Sequence, residues 1–180
     1  MKKIVTWEEM KKLDGATIHH IGVASEVLME RAALKVVEEI EKYLEKNERI
    51  LVVCGSGNNG GDGIAVARLL YLKGIRAEFC MVGNKDKMTR ETVLQYKIAT
   101  GYQDPEVNNP DWSEYTTIVD AVFGVGLVRP IEGHYAEVIH EMNSARAKKI
   151  AVDIPSGVNG DTGLEMGIAF SADLTVTFAY

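Results

Sequence analysis

Apolar residues recur at three-to-four spacing through Leu28, Ala32, Val36, Ile40 and Leu44, with Glu and Lys between them. This pattern predicts an amphipathic helix from Ser25, read as its N-cap, toward Asn47. The pattern then changes. Ile50–Cys54 is an unbroken apolar run that ends in glycines, as expected of a parallel strand covered on both faces. Gly55–Gly63 reads as a tight loop and Ile64–Lys73 as a helix stopped by Gly74. A second cycle gives a strand over Arg76–Val82 and a helix over Thr89–Thr100, followed by an irregular connection over Tyr102–Ser113. A strand at Thr116–Phe123, a helix at Tyr135–Ala145 and strands at Lys149–Ile154 and Leu174–Phe178 complete the pattern. Alternating strands and helices predict a Rossmann-like α/β three-layer sandwich with a mostly parallel sheet. Ligands collect at the carboxyl ends of such strands, so the loops there are where chemistry is sought.

Three of those loops carry polar residues that turn chemistry alone does not require. The first, Gly55–Gly63, has the strand-turn-helix setting in which free backbone N–H groups and a helix N-terminus attract an anion. Gly55, Gly57 and Gly60 match the dinucleotide fingerprint GxGxxG, although a glycine-rich turn that merely connects two elements gives the same letters. No acidic residue follows at the end of the next strand, as that fingerprint requires. In the second, Asp120 interrupts an apolar strand just before Gly124–Pro130, whose one cation is Arg129. A buried carboxylate must accept loop N–H bonds, pair with a charge or bind a cation. In the third, Asp153 arrives as an apolar strand runs out, and Ser156 follows in the same turn. Converging polar groups at one sheet edge are the default active-site hypothesis for this architecture.

Composition narrows the partners. At 180 residues the chain fits one domain, and its net charge of -6 offers no broad electrostatic grip on nucleic acid. The basic start, Met1–Thr6, meets Trp7, Glu8 and Glu9 before an apolar segment can form, and no run approaches the ~20 residues that span a bilayer. A cytoplasmic protein without a membrane partner is expected. Cys54 and Cys80 sit in apolar runs without CxxC spacing and read as buried thiols. His19, His20, His134 and His140 lack metal-ligand spacing and read as surface or capping residues.

Taken together, Asn58–Gly63, the Asp120–Gly124 segment with Gly126, Leu127 and Arg129–Gly133, and Val152–Gly157 resemble the YjeF N-terminal domain family of NAD(P)H-hydrate epimerases. Met10–Asp14, Thr17 and Ile18, and Leu28–Ala32 are similar to that family's start, so the resemblance spans nearly the whole chain. It implies an isomerase that interconverts the R and S epimers of hydrated NADH and NADPH (NADHX and NADPHX) at C6 of the nicotinamide ring. Carried over by motif, Asn58, Asn59, Gly60, Gly61 and Asp62 would line the substrate, with Gly124, Val125, Gly126, Leu127, Val128, Arg129 and Pro130. Asp153 would be the acid/base residue against the damaged ring, and Asn59, Asp120 and Ser156 would hold a potassium ion.

An ADP-dependent dehydratase, separate or fused, is the implied functional partner, and a homodimer is compatible with the sequence. Family members continue beyond the strand around Thr177 and Phe178, so the resemblance implies one domain, residues 1–180, shortened at its C-terminal end. Two other readings stand beside it. One is a dinucleotide-dependent dehydrogenase, resting on Gly55, Gly57 and Gly60 alone. The other is a non-catalytic binding module of the same fold, in which nothing would require Asp153.

Overall fold

The computed structural model describes residues 6–102 and 106–178; the basic start, the middle of the irregular connection and the last two residues lie outside it. Helix α1 (Trp7–Ala16) opens with a capping box in which Thr6 and Glu9 exchange side-chain and backbone bonds. It continues as a π-turn over Thr17–Ile21 that ends at Gly22 in the left-handed region. Then follow α2 (Ser25–Glu41), β1 (Arg49–Cys54), α3 (Asn58–Leu72), β2 (Arg76–Met81) and α4 (Arg90–Gly101). After a 3-10 turn at Trp112–Glu114 come β3 (Thr117–Ala121), α5 (His134–Ser144), β4 (Lys148–Val152) and β5 (Leu174–Val176).

All five strands pair in parallel in the order β2-β1-β3-β4-β5, which is the expected α/β architecture. Strand β1 is an interior strand buried on both faces, which explains its lack of polar alternation. Ile50, Val52 and Cys54 pack with α2 and α3 residues on one side, while Leu51 and Val53 join Ile139 and Met142 of α5 on the other. Each such large side chain removed from water contributes roughly 1.5–3 kcal/mol. The two cysteines are buried thiols outside any disulfide, as read from their apolar surroundings. Among the described residues no helix is long and apolar enough to cross a membrane.

Two element boundaries differ from the sequence expectation for identifiable reasons. Ser25 is the first residue of α2 rather than its cap, because Ala24 takes the extended cap position. The Ser25 hydroxyl bonds Glu91 of α4 at 2.9 Å instead. The helix stops at Glu41, short of Asn47, which sits at a positive φ of 67° in the turn before β1. The larger correction is α3. Asn58–Gly63 is helical, not loop, although glycine costs about 1 kcal/mol per helical position relative to Ala. Close packing overrides that propensity: a Cβ on Gly60 would lie 1.8 Å from the Gly55 carbonyl oxygen, and one on Gly63 2.4 Å from Ala121 Cβ.

Candidate active site

The chain reverses direction across the sheet between β1 and β3, since β1 leads outward to β2 and the chain then returns to β3. Helix α3 leaves one face and α5 the other. In sheets of this kind the loops on either side of such a reversal are where a ligand is sought. On its β1 side, α3 begins at Asn58 with Gly57 as N-cap and without a side-chain cap bond, so its first amides are left for a ligand. Thr92 of α4 holds this start by donating its hydroxyl to the Gly57 carbonyl at 2.9 Å. The glycines here serve mainly backbone packing. Gly55 and Gly60 cannot carry a Cβ without meeting backbone oxygens at 2.0 and 1.8 Å, whereas Gly57 faces open space.

On the β3 side Asp120 is fully buried and its carboxylate is a structural knot. It accepts from the Val122 N–H at 3.1 Å, the Ser156 N–H at 2.7 Å and the Ser156 hydroxyl at 2.6 Å. Ser156 Oγ also accepts from the Phe123 N–H at 2.8 Å, so one buried Asp–Ser pair ties the β3 loop to the β4 loop. Loss of hydration raises the Asp120 pKa to about 6 despite those bonds.

Asp153 follows β4 directly. Its N–H continues the ladder to Val176 at 2.8 Å, and the Ile154 N–H bonds back to the Val152 carbonyl at 2.9 Å across it. That i-to-i+2 bond with a φ of 69° makes Asp153 the centre of a γ-turn of the strained hand. Strain of this kind concentrates where a side chain must be aimed. Burial raises the Asp153 pKa, while N–H bonds from Val125 and Phe178 oppose the rise. Asp62, one turn into α3, is pushed well above the ordinary carboxylate range, first by burial and then by Asp153 and Asp14. Asp14 of α1 is itself raised by burial and acts electrostatically on both. It is a site neighbour that the sequence reading did not include, because nothing in the periodicity of α1 indicates which way the helix lies.

Gly124 is where the loops meet. A Cβ on it would lie 3.3 Å from Asn59 Cβ and 3.3 Å from Asp153 Oδ2. Both polar atoms of the Asn59 amide, Oδ1 and Nδ2, are buried without a protein partner. A buried amide left this way is costly, and its natural complement is a ligand. Asn59 and Asp153 thus meet at Gly124, Val125 donates its N–H to Asp153, Asp62 feels the Asp153 charge, and the Asp120–Ser156 pair ties the same two loops together. Asn58 is exposed at the start of α3, and Gly126 lines the open part of the turn. Val128, Arg129 and Pro130 lie exposed on the outer part of their loop, and Arg129 makes no ion pair among the described residues. No cluster of three His, Cys, Asp or Glu side chains with metal-binding geometry is present among the described residues, and His19, His20, His134 and His140 are exposed.

Comparison with known proteins agrees with this geometry. The chain is 45% identical over 180 residues to a protein of Limosilactobacillus fermentum named NAD(P)H-hydrate epimerase, covering 99% of this chain and 86% of that one. A Limosilactobacillus reuteri protein of the same name is 49% identical, over 99% of this chain and 85% of its own length. The crystal structure of yeast ynu0 superposes with a TM-score of 0.85 at 22% identity, covering 98% of this chain and 80% of that one, a likeness of fold. The family model described as YjeF-related protein N-terminus matches residues 25–180, and by these matches the chain belongs to that family.

Proposed function

We propose that this protein is an isomerase that interconverts the R and S epimers of NADHX and NADPHX at C6 of the hydrated nicotinamide ring. The observation that carries this reading is the meeting of the unpartnered Asn59 amide and the Asp153 carboxyl across Gly124. The name shared by relatives that are 45–49% identical supports the substrate class. In the substrate the departing hydroxyl sits next to the ring nitrogen, so losing it as water leaves a planar iminium. Asp153, whose burial favours the protonated acid, donates the proton; its carboxylate then stabilises the cation and regains a proton as water adds to the opposite face. Asp62, pushed toward its neutral form by burial and by Asp153, avoids setting a second negative charge beside Asp153. The free amides that open α3, the Gly124–Pro130 backbone and the unpaired Arg129 suit the diphosphate.

A potassium ion fits the same residues. Asn59 Oδ1 is a buried oxygen without a partner, Asp120 is a buried carboxylate and Ser156 Oγ lies beside it, all hard oxygen donors. When bound, the ion would supply charge compensation for Asp120 and would fix the loops. Replacing potassium by choline at matched ionic strength is therefore expected to lower stability by about 1 kcal/mol, roughly 2–4 °C in Tm for a domain of this size. Asn59→Ala should erase that difference, and an equal Tm of the wild type in both salts would contradict the ion site.

The activity is tested directly by supplying purified R epimer with an excess of a dehydratase that consumes only the S epimer. NADH recovery is expected to accelerate when this protein is added. An unchanged rate would remove the epimerase reading. A dehydrogenase would instead require a second, reducible substrate, which this assay does not contain.

A further inference from the structure

A second cavity, of about 520 Å³, lies at the carboxyl end of the edge strand β2, on the α5 face of the sheet. Its apolar floor is formed by Cys80, Val82, Val138 and Trp112, with Pro110 at one end. Its rim carries Asn108, His134, Glu137 and Glu141, and among the described residues no Lys or Arg lines it. Positions 134, 137, 138 and 141 fall on one face of α5, which forms one wall; the opposite wall is the 108–112 segment. That segment turns over the sheet edge after Val107 bonds the Phe79 carbonyl at 2.8 Å, with Asn109 at a φ of 56°.

The groove and the Asp153 site lie along the same end of the sheet. Both open at the carboxyl ends of the strands, and β2 and β4 are three strand intervals apart, about 14 Å. That is the reach of one extended dinucleotide. Packed contacts link the two: His134 precedes Tyr135, whose ring packs on Phe123 at 4.9 Å, and the Phe123 N–H is held by Ser156. With the ring bound at β4 and the diphosphate at the start of α3, the remaining end of the substrate is directed toward β2.

We infer that this groove receives the adenosine end of the dinucleotide and, through Glu137 and Glu141, favours NADHX over NADPHX. The inference rests on the epimerase reading above and extends it to cofactor choice. An apolar slot beside an indole accepts a flat heteroaromatic ring, and rim carboxylates and amide oxygens accept hydrogen bonds from an exocyclic amine and a ribose diol. A 2′-phosphate would meet two carboxylates and no Lys or Arg, and the ordinary partner of such a phosphate is an arginine.

Two measurements decide it. In the first, Trp7→Phe leaves Trp112 as the sole tryptophan, and its fluorescence is titrated with adenosine and with adenosine 2′-monophosphate. Saturable quenching is expected, about tenfold weaker for the 2′-phosphate. In the second, kcat/KM is compared for NADHX and NADPHX. A preference of about tenfold for NADHX is expected, falling toward unity in the E137Q/E141Q double variant through a lower KM for NADPHX. Absence of quenching, or equal kcat/KM for both substrates in wild type and double variant, would overturn the assignment while leaving the epimerase reading intact. If neither dinucleotide is turned over, the epimerase reading fails, and the adenosine titration still decides the groove.

Discussion

Replacing Asp153 by Asn is expected to abolish epimerisation while leaving the fold intact. The loss should fall in kcat, by about 10²–10⁴-fold, the range that a positioned general acid–base contributes. Binding should change little, because an amide of the same shape still offers an oxygen to the N–H groups of Val125 and Phe178. Asn is also the side chain best suited to this backbone, since Asp153 sits at a φ of 69° and Asn tolerates positive φ better than most residues. The decisive comparison sets thermal unfolding beside the coupled assay with the R epimer. A variant with native Tm and near-native turnover would show that the γ-turn serves the chain's path and not its chemistry. Asp153→Ala is less informative, because it also strains the turn.

Gly60→Ala should be among the most damaging single methyl additions near the site. The new Cβ would need the space of the Gly55 carbonyl oxygen, 1.8 Å away, and both partners are backbone that cannot rotate aside. Overpacking of flexible side chains costs about 1–3 kcal/mol, and a clash between β1 and α3 backbones should exceed that. For a domain that is only about 5–15 kcal/mol stable, soluble expression should fall sharply. Gly57→Ala is the internal control, since nothing lies within 4 Å of its Cβ and its φ of -81° suits any residue. Equal Tm values for the two variants would contradict the packing argument. Native Tm with equal loss of activity in both variants would point instead to the phosphate-approach role that the GxGxxG spacing suggests.

These glycines illustrate how much of the site was legible in the chain. The spacing of Gly55, Gly57 and Gly60 marks a strand-turn-helix, and that was correct. Its usual explanation, room for a diphosphate, applies only to Gly57, because Gly55 is pressed against the Val122 backbone just past β3 and Gly60 against the Gly55 backbone. Composition also misplaced the start of α3: Asn and Gly favour loops when only local propensity is weighed, and the packing of Gly60, Gly61 and Gly63 reverses the balance. Asp120, Asp153 and Ser156 stood out because charge and hydroxyl interrupt or end apolar runs, and burying them uncompensated is too costly to be accidental.

The linear order of residues determined the alternation of strands and helices, the parallel sheet and the three loops worth attention, because each depends on local periodicity and on the free energy of burying a face. Only the tertiary structure decided that Asp153 is held at positive φ, that Ser156 bonds Asp120 rather than solvent, that Asn59 is left without a partner and that Asp14 approaches from α1. Those outcomes depend on strand order. Residues separated by dozens of positions become neighbours only once β1, β3 and β4 lie side by side, and no local pattern records which strand will sit next to which.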